Sequence, residues 1–170
     1  MPRVLLVPAN RAASGERAAF AIVKNPDFDP RATVVVEAPG PVFPPGPLGD
    51  ARAQIVEEAP RRLVIETTAG RAAWLVVNDT FAPGWRARVD GRPAEVSRAN
   101  ALVRAVPLEA GAHRVELDYA PRSLVVGAAV SGVSLLVLGG LILGPRWRRR
   151  RLGAAAADAI RSPPSTGGPA

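Results

Sequence analysis

Asp27 and Asp29 flank Phe28 in the run Asn25-Pro-Asp-Phe-Asp-Pro30. Two carboxylates one residue apart can share a hard divalent cation, as in the D-x-D pattern of some nucleotide-sugar transferases. The run also has a simpler reading: Pro26 and Pro30 each restrict the residue before them, and aspartates in such a cluster set turn hydrogen bonds. The turn is the reading adopted, so no metal ligand is assigned. A second group lies in Asn78-Asp-Thr-Phe-Ala-Pro-Gly-Trp85, where an acid and a hydroxyl can bond to sugar hydroxyls while an indole covers the apolar side of the ring. Asp79, Thr80 and Trp85 are the candidate ligand face. Against it, Pro83-Gly84 is ordinary turn chemistry, and the alternation that begins at Trp85 favours a core position for the indole. His113 is the single histidine. It stands at the start of a predicted strand, where a surface or edge role is expected rather than a place in a Ser-His-Asp relay. No catalytic residue and no cofactor are assigned.

Composition narrows the classes further. Of 170 residues 48% are apolar, enough for one domain with an ordinary core. There is no cysteine, which excludes disulfides, thiolate catalysis and cysteine-held metals. The net charge of +7 suggests a polyanion partner until it is placed along the chain. Residues 144–170 carry six arginines against Asp158, a net of +5, so only +2 remains for everything before them. The folded part is almost neutral, and nucleic-acid binding is not expected.

That basic tail follows the most apolar segment of the chain. Leu124 to Leu143 is 20 residues without a charge, 12 of them Leu, Val or Ile. As a helix it rises about 30 Å, the thickness of a bilayer's hydrocarbon core. A transmembrane helix is therefore expected within 122–145. Six arginines follow the span closely, whereas Arg104, Arg114 and Arg122 precede it. The positive-inside rule then puts 146–170 in the cytoplasm as a basic, disordered tail, and 1–121 outside. Arg122, Trp147, Arg148, Arg149, Arg150 and Arg151 are the expected membrane-interface residues, with lipid headgroups as their contacts. Ala128, Gly132 and Gly139 share one helix face and would let another membrane helix approach closely. Translocating the first 121 residues needs a signal or an earlier helix, and Met1 to Pro8 offers only a four-residue apolar stretch. The expectation is a fragment of a longer polytopic protein.

The elements that must hold the candidate residues are short. Arg3 to Val7 predicts a strand. Ser14 predicts the N-cap of a helix over about 14–24, with Ala18, Ala19, Ile22 and Val23 on its apolar side. Ala32 to Glu37 predicts a strand, and 39–49 a Pro/Gly-rich loop. From residue 51 the period is close to two, predicting strands at Ala51–Glu58, Arg61–Thr68, Ala72–Asn78, Trp85–Val89, Ala94–Arg98, Leu102–Val106 and Ala112–Tyr119. Asp90-Gly91 between two of them is a hairpin turn signal. The fold class is mainly β: an antiparallel β-sandwich of about eight strands over 1–121 with one N-terminal helix, followed by the single transmembrane helix.

Several pieces in this order are specific. They are Asn25-Pro-Asp-Phe-Asp-Pro-Arg31, Thr33-Val-Val-Val-Glu37, Leu75-Val-Val-Asn-Asp-Thr-Phe-Ala-Pro-Gly-Trp85, Val89-Asp-Gly91, Arg98-Ala-Asn100, Arg104-Ala-Val106, Ala110-Gly-Ala-His113 and Tyr119-Ala-Pro-Arg-Ser123. Together they resemble the C-terminal region of the YfhO-type bacterial membrane proteins, over about residues 1–145. That family has two aromatic residues before Pro-Gly-Trp, where this chain has Phe81-Ala82. The resemblance implies a polytopic protein similar to GT-C glycosyltransferases, in which an extracytoplasmic β domain precedes the last helix. Its donor site and catalytic acid belong to a many-helix part that no position here matches. The implied role is in glycosylating cell-envelope polymers or lipids, with this piece a noncatalytic module whose partners are the lipid bilayer, other transmembrane helices and a lipid-linked or polymeric glycan. The alternative is a stand-alone membrane-anchored carbohydrate-binding or scaffolding module.

Overall fold

Residues 1–37, 40–121, 123 and 126–141 are described by the computed structural model, and the chain divides into two units, Met1–Pro121 and Arg122–Ala170. The first contains β1 (Val4–Val7), β2 (Ala9–Ala12), α1 (Glu16–Val23), β3 (Thr33–Val36), β4 (Arg52–Ala59), β5 (Arg62–Ala69), β6 (Ala73–Thr80), β7 (Trp85–Val89), β8 (Arg92–Ala94), β9 (Ser97–Ala99), β10 (Val103–Leu108) and β11 (Gly111–Tyr119). They form a six-stranded sheet in the order β1-β6-β10-β9-β3-β2 and a five-stranded sheet in the order β4-β5-β11-β7-β8.

The mainly β, two-sheet expectation holds, and the strand inventory is larger than predicted. β2 is an addition to the expected set. It pairs parallel to β3, and a parallel pair needs a crossover of a dozen or more residues, which α1 supplies. The helix therefore exists as a connection, and the sheet is not purely antiparallel. The predicted strand Ala94–Arg98 is two strands in different sheets, β8 and β9. Pro93 sits in β8 at the sheet's edge, where a missing backbone donor is tolerated.

A consequence of strand order is that β1 and β2, at opposite edges of the six-stranded sheet, are separated only by Pro8. The sheet must curl until its edges are neighbours. This explains why Ala73 to Val77 of β6 are all buried rather than alternately so. One side chain set of β6, Leu75 and Val77, packs with Leu63, Ile65, Val106, Val115 and Leu117 between the two sheets. The other, Trp74 and Val76, packs with Val7, Val34, Val36, Ala99 and Ala105 inside the curl. The Pro/Gly-rich loop closes that second core: Phe43 lies with its ring centroid 6.0 Å from that of Trp74, and its N–H donates to Asn10 Oδ1 at 2.8 Å.

Two turns show how local chemistry sets the chain's path. Asp90 and Gly91 have φ of 51° and 78°, both left-handed, as a tight hairpin between β7 and β8 requires. Helix α1 is capped at Gly15 with no side-chain cap hydrogen bond, so the predicted cap at Ser14 is corrected. The cap residue's φ is 133°, which glycine alone reaches without strain.

In the second unit, residues 126–141 are helical. Val126, Val130, Val133, Leu135, Leu136, Val137, Leu138 and Leu141 are all exposed on this helix, and the Ser134 hydroxyl donates to the Val130 carbonyl at 2.9 Å, within the helix itself. Among the described residues no helix is long and apolar enough to cross a membrane. Sixteen residues rise about 24 Å against the roughly 30 Å of hydrocarbon, so the structure does not supply the expected span. The rest of 124–143 lies outside the described residues, as do Arg122, Trp147, Arg148, Arg149, Arg150 and Arg151. Ala128 and Gly132 are exposed on the helix, and Gly139 is partly so.

Candidate functional site

At the tip of the first unit where β4, β6 and β11 end and β1, β7 and β10 begin, charged and aromatic side chains from six segments converge. Arg3, just before β1, is the hub. Its Nη1 lies 2.6 Å from Glu58 Oε1, and its Nε and Nη2 donate to Asp79 Oδ1 and Oδ2, each at 3.1 Å. Arg104 Nη2 donates to the same Asp79 Oδ2 at 2.7 Å. The Arg104 guanidinium carbon stands 4.0 Å from the Trp85 ring centroid, and Trp85 in turn lies 5.2 Å from Tyr119, centroid to centroid.

Two carboxylates balance two guanidiniums, so the cluster is close to neutral. Its members are nevertheless unequal. The Arg104 side chain is only 3% exposed, against 29% for Asp79 and 42% for Arg3. A buried guanidinium is tolerated when it is paired and its faces are packed, and here Asp79 and the Trp85 ring do both. Burial pulls the Arg104 pKa down, Asp79 opposes this, and the nearby charge of Arg3 adds to the lowering. Hydrogen bonds to Asp79 and then Glu58 push Arg3 the other way, well above its usual value. Arg104 Nε and Nη1 are buried without a hydrogen-bond partner.

Over this cluster opens a cleft of about 490 Å3, lined by Arg3, Glu58, Pro60, Leu63, Asp79 and Trp85. Of the predicted ligand face, the structure brings Asp79 and Trp85 together and leaves Thr80 out: it is exposed at the end of β6, opposite Val103 beside a bulge. Trp85 is partly buried and packs on the core between the sheets, so it is at once a core residue and a cleft wall. Asp79 already accepts three guanidinium N–H groups, and a carboxylate has about four acceptor positions, so its capacity for a further donor is small. Arg3, Glu58 and Arg104 are not among the sequence-predicted site residues. The one available signal is an arginine inside the otherwise apolar run Leu102-Val-Arg-Ala-Val106.

The other candidates serve the fold. Asp29 Oδ1 accepts the Arg31 N–H at 2.9 Å, and Asn25 Oδ1 accepts that of Asp27 at 3.0 Å, the turn chemistry expected of that run. Among the described residues no group of three His, Asp or Glu side chains is placed to hold a metal ion. His113 ties the β7–β8 hairpin to the β10–β11 connection, which joins the two sheets. Its Nδ1 is 2.7 Å from Asp90 Oδ2 and its Nε2 is 3.2 Å from the Glu109 carbonyl, while Asp90 Oδ1 accepts the Arg114 N–H at 2.8 Å. The His113 bond and then the Arg114 amide hold the Asp90 pKa below the usual carboxylate value.

No curated protein and no solved structure matches the chain. The family described as bacterial membrane protein YfhO matches residues 50–131, a stretch that runs from β4 through β11 and supplies Glu58, Asp79, Trp85, Arg104 and Tyr119 to the cluster; this part of the chain is a YfhO-type region.

Proposed function

We propose that residues 1–121 are a noncatalytic extracytoplasmic module of a YfhO-like membrane protein acting in the glycosylation of cell-envelope polymers or lipids, and that the cleft beside Trp85 holds the glycan. The observation that carries this reading is the cleft's make-up: an indole wall beside fixed charged groups is how a polyol is held, apolar ring face on the aromatic and hydroxyls on the polar atoms. Arg3 and Glu58, both about half exposed, offer the donors and acceptors that Asp79 cannot spare. Residues 124–143 are read as the last membrane helix, supported by their uninterrupted apolar sequence and by the exposure of the apolar side chains over 126–141, with other membrane helices approaching at Ala128, Gly132 and Gly139. The tail is placed in the cytoplasm, with Arg122, Trp147, Arg148, Arg149, Arg150 and Arg151 at the lipid interface.

The test is binding of envelope-type oligosaccharides to the full chain in detergent, followed by isothermal calorimetry. Trp85→Ala is expected to weaken binding by about tenfold, the order expected when an aromatic ring no longer covers the apolar face of a sugar. Binding that is unchanged in a folded Trp85→Ala variant, or no binding of any glycan class by the parent chain, overturns the reading.

A further inference from the structure

We propose that the surface formed by Phe20 and Leu102 docks on an anionic lipid bilayer, fixing how the β unit lies on the membrane. Phe20 is 46% exposed and Leu102 61% exposed, and they border a groove of about 450 Å3 between α1 and the β9–β10 turn, lined also by Glu16, Arg17 and Ala101.

The exposure of Leu102 is built in. Asn100 and Ala101, which precede it, have φ of 47° and 66°, and an alanine in the left-handed region is a cost the fold must offset elsewhere. It is held there by surrounding bonds. The Asn100 N–H donates to the Val35 carbonyl at 2.8 Å, its side-chain oxygen accepts the Val35 N–H at 2.9 Å, and Ala101 is buried under α1. A strained turn with a buried alanine beneath it thus presents one large apolar side chain to the outside.

Charge identifies the occupant. Arg17 lines the groove and Lys24, the residue that caps the C-terminal end of α1, has its Nζ 4.6 Å from the Phe20 ring centroid; among the described residues neither makes an ion pair. Arg98 sits 5.1 Å from the Phe81 ring centroid and pairs with Glu16 at 2.9 Å. Two apolar side chains with Arg17, Lys24 and Arg98 around them, against the one groove carboxylate of Glu16, fit a bilayer interface, with the hydrocarbon among the acyl chains and the cations at the anionic headgroups. Topology points the same way. The Phe81 N–H donates to the Leu102 carbonyl at 2.7 Å and the Ala120 N–H to the Gly84 carbonyl at 2.9 Å, so the Leu102 turn occupies the end of the unit that carries its last residue, Pro121.

The proposal rests on the reading of 124–143 as a membrane helix, and the experiment separates the two. The chain has no cysteine, so single cysteines introduced as Leu102→Cys, Ala110→Cys and Leu136→Cys each carry one environment-sensitive fluorophore. Ala110, exposed at the far end of β10, is the water control. The full chain is placed in nanodiscs of mixed phosphatidylcholine and phosphatidylglycerol, with a quencher carried on the lipid. The Leu102 probe is expected to shift to shorter wavelength and to be quenched from the lipid while the Ala110 probe is not. Replacing Arg17 and Lys24 by glutamate should lower the docked-to-undocked ratio by about fivefold or more for each residue changed, the factor equivalent to about 1 kcal/mol per cation at an anionic surface. Quenching at Leu136 with none at Leu102 overturns docking and leaves the membrane helix intact. Quenching at Leu102 with none at Leu136 supports docking and overturns the helix reading. Quenching at neither overturns both.

Discussion

Replacing Asp79 by alanine removes the hydrogen-bond partner of a guanidinium that is almost wholly buried. Arg104 keeps its charge, its side chain is only 3% exposed in the parent chain, and with Nε and Nη1 already unpartnered it would have no hydrogen bond within the protein. Breaking a buried pair from one side typically costs about 3–5 kcal/mol, because the remaining charge is uncompensated. The ion pair between Arg3 and Asp79, broken by the same substitution, adds little, since Arg3 is 42% exposed and solvent screens its charge. For a unit of this size the loss corresponds to a fall in Tm of about 10–20 °C, measurable by circular dichroism of the full chain in detergent. Two companions sharpen the test. Glu58→Ala breaks only the exposed 2.6 Å pair with Arg3 and should cost less than about 1 kcal/mol. Asp79→Ala combined with Arg104→Met replaces the pair by apolar volume and should recover most of the lost stability, as buried pairs exchanged whole for hydrocarbon often do. If Asp79→Ala melts no lower than Glu58→Ala, Asp79 is not what holds Arg104 in the interior and the account of the cluster is wrong.

Other expectations are independent of that pair. Because the folded pKa of Asp90 is depressed, its contribution is fully present above the ordinary aspartate pKa and is lost as pH falls through the lower folded value. Asp90→Asn should therefore flatten the acid limb of a stability-against-pH curve, and an unchanged acid limb would refute it. Gly84 has φ of 114°, and a Cβ there would stand 2.7 Å from Pro121 Cα. Gly84→Ala should destabilise by about 1–3 kcal/mol in chemical denaturation, whereas Gly91→Ala, with open space around its Cβ, should cost only the left-handed backbone strain, about 1 kcal/mol. Leu136→Arg in the helix over 126–141 should reduce membrane retention after alkaline extraction, since a central arginine costs about 2.5–3.5 kcal/mol on insertion. Full retention would count against a bilayer-spanning role.

How much is readable depends on the distance over which each feature is decided. The Asp90-Gly91 turn, β7 and β11 follow from period-two alternation and residues that tolerate positive φ, and these are local properties. The helix forms where expected, but side-chain propensity points to Ser14 as its cap, whereas the backbone geometry there is one that Gly15 alone permits. In the site, the Asn78–Trp85 loop supplies Asp79 and Trp85 through residue type. Thr80 drops out because a neighbour along a strand faces the other way and a bulge intervenes. Arg3 escapes notice because it lies 76 positions from Asp79, and no local pattern marks an arginine that will be drawn to a distant carboxylate.

The order of apolar and turn residues by itself determined that this chain is mainly β over its first 121 residues, that an uncharged apolar segment follows, and that the arginines gather behind it. These are consequences of side-chain period and of the transfer energy of each residue, which act over a few neighbours. Only the tertiary structure decided that the six-stranded sheet curls around Trp74 until β1 and β2 adjoin, that β8 and β9 part company between the sheets, and that Arg3, Asp79, Arg104 and Trp85 meet at one tip. Those outcomes depend on which strands exchange hydrogen bonds and which charges lose their water together, and such long-range pairings are set by the free energy of the whole packed unit rather than by any one segment.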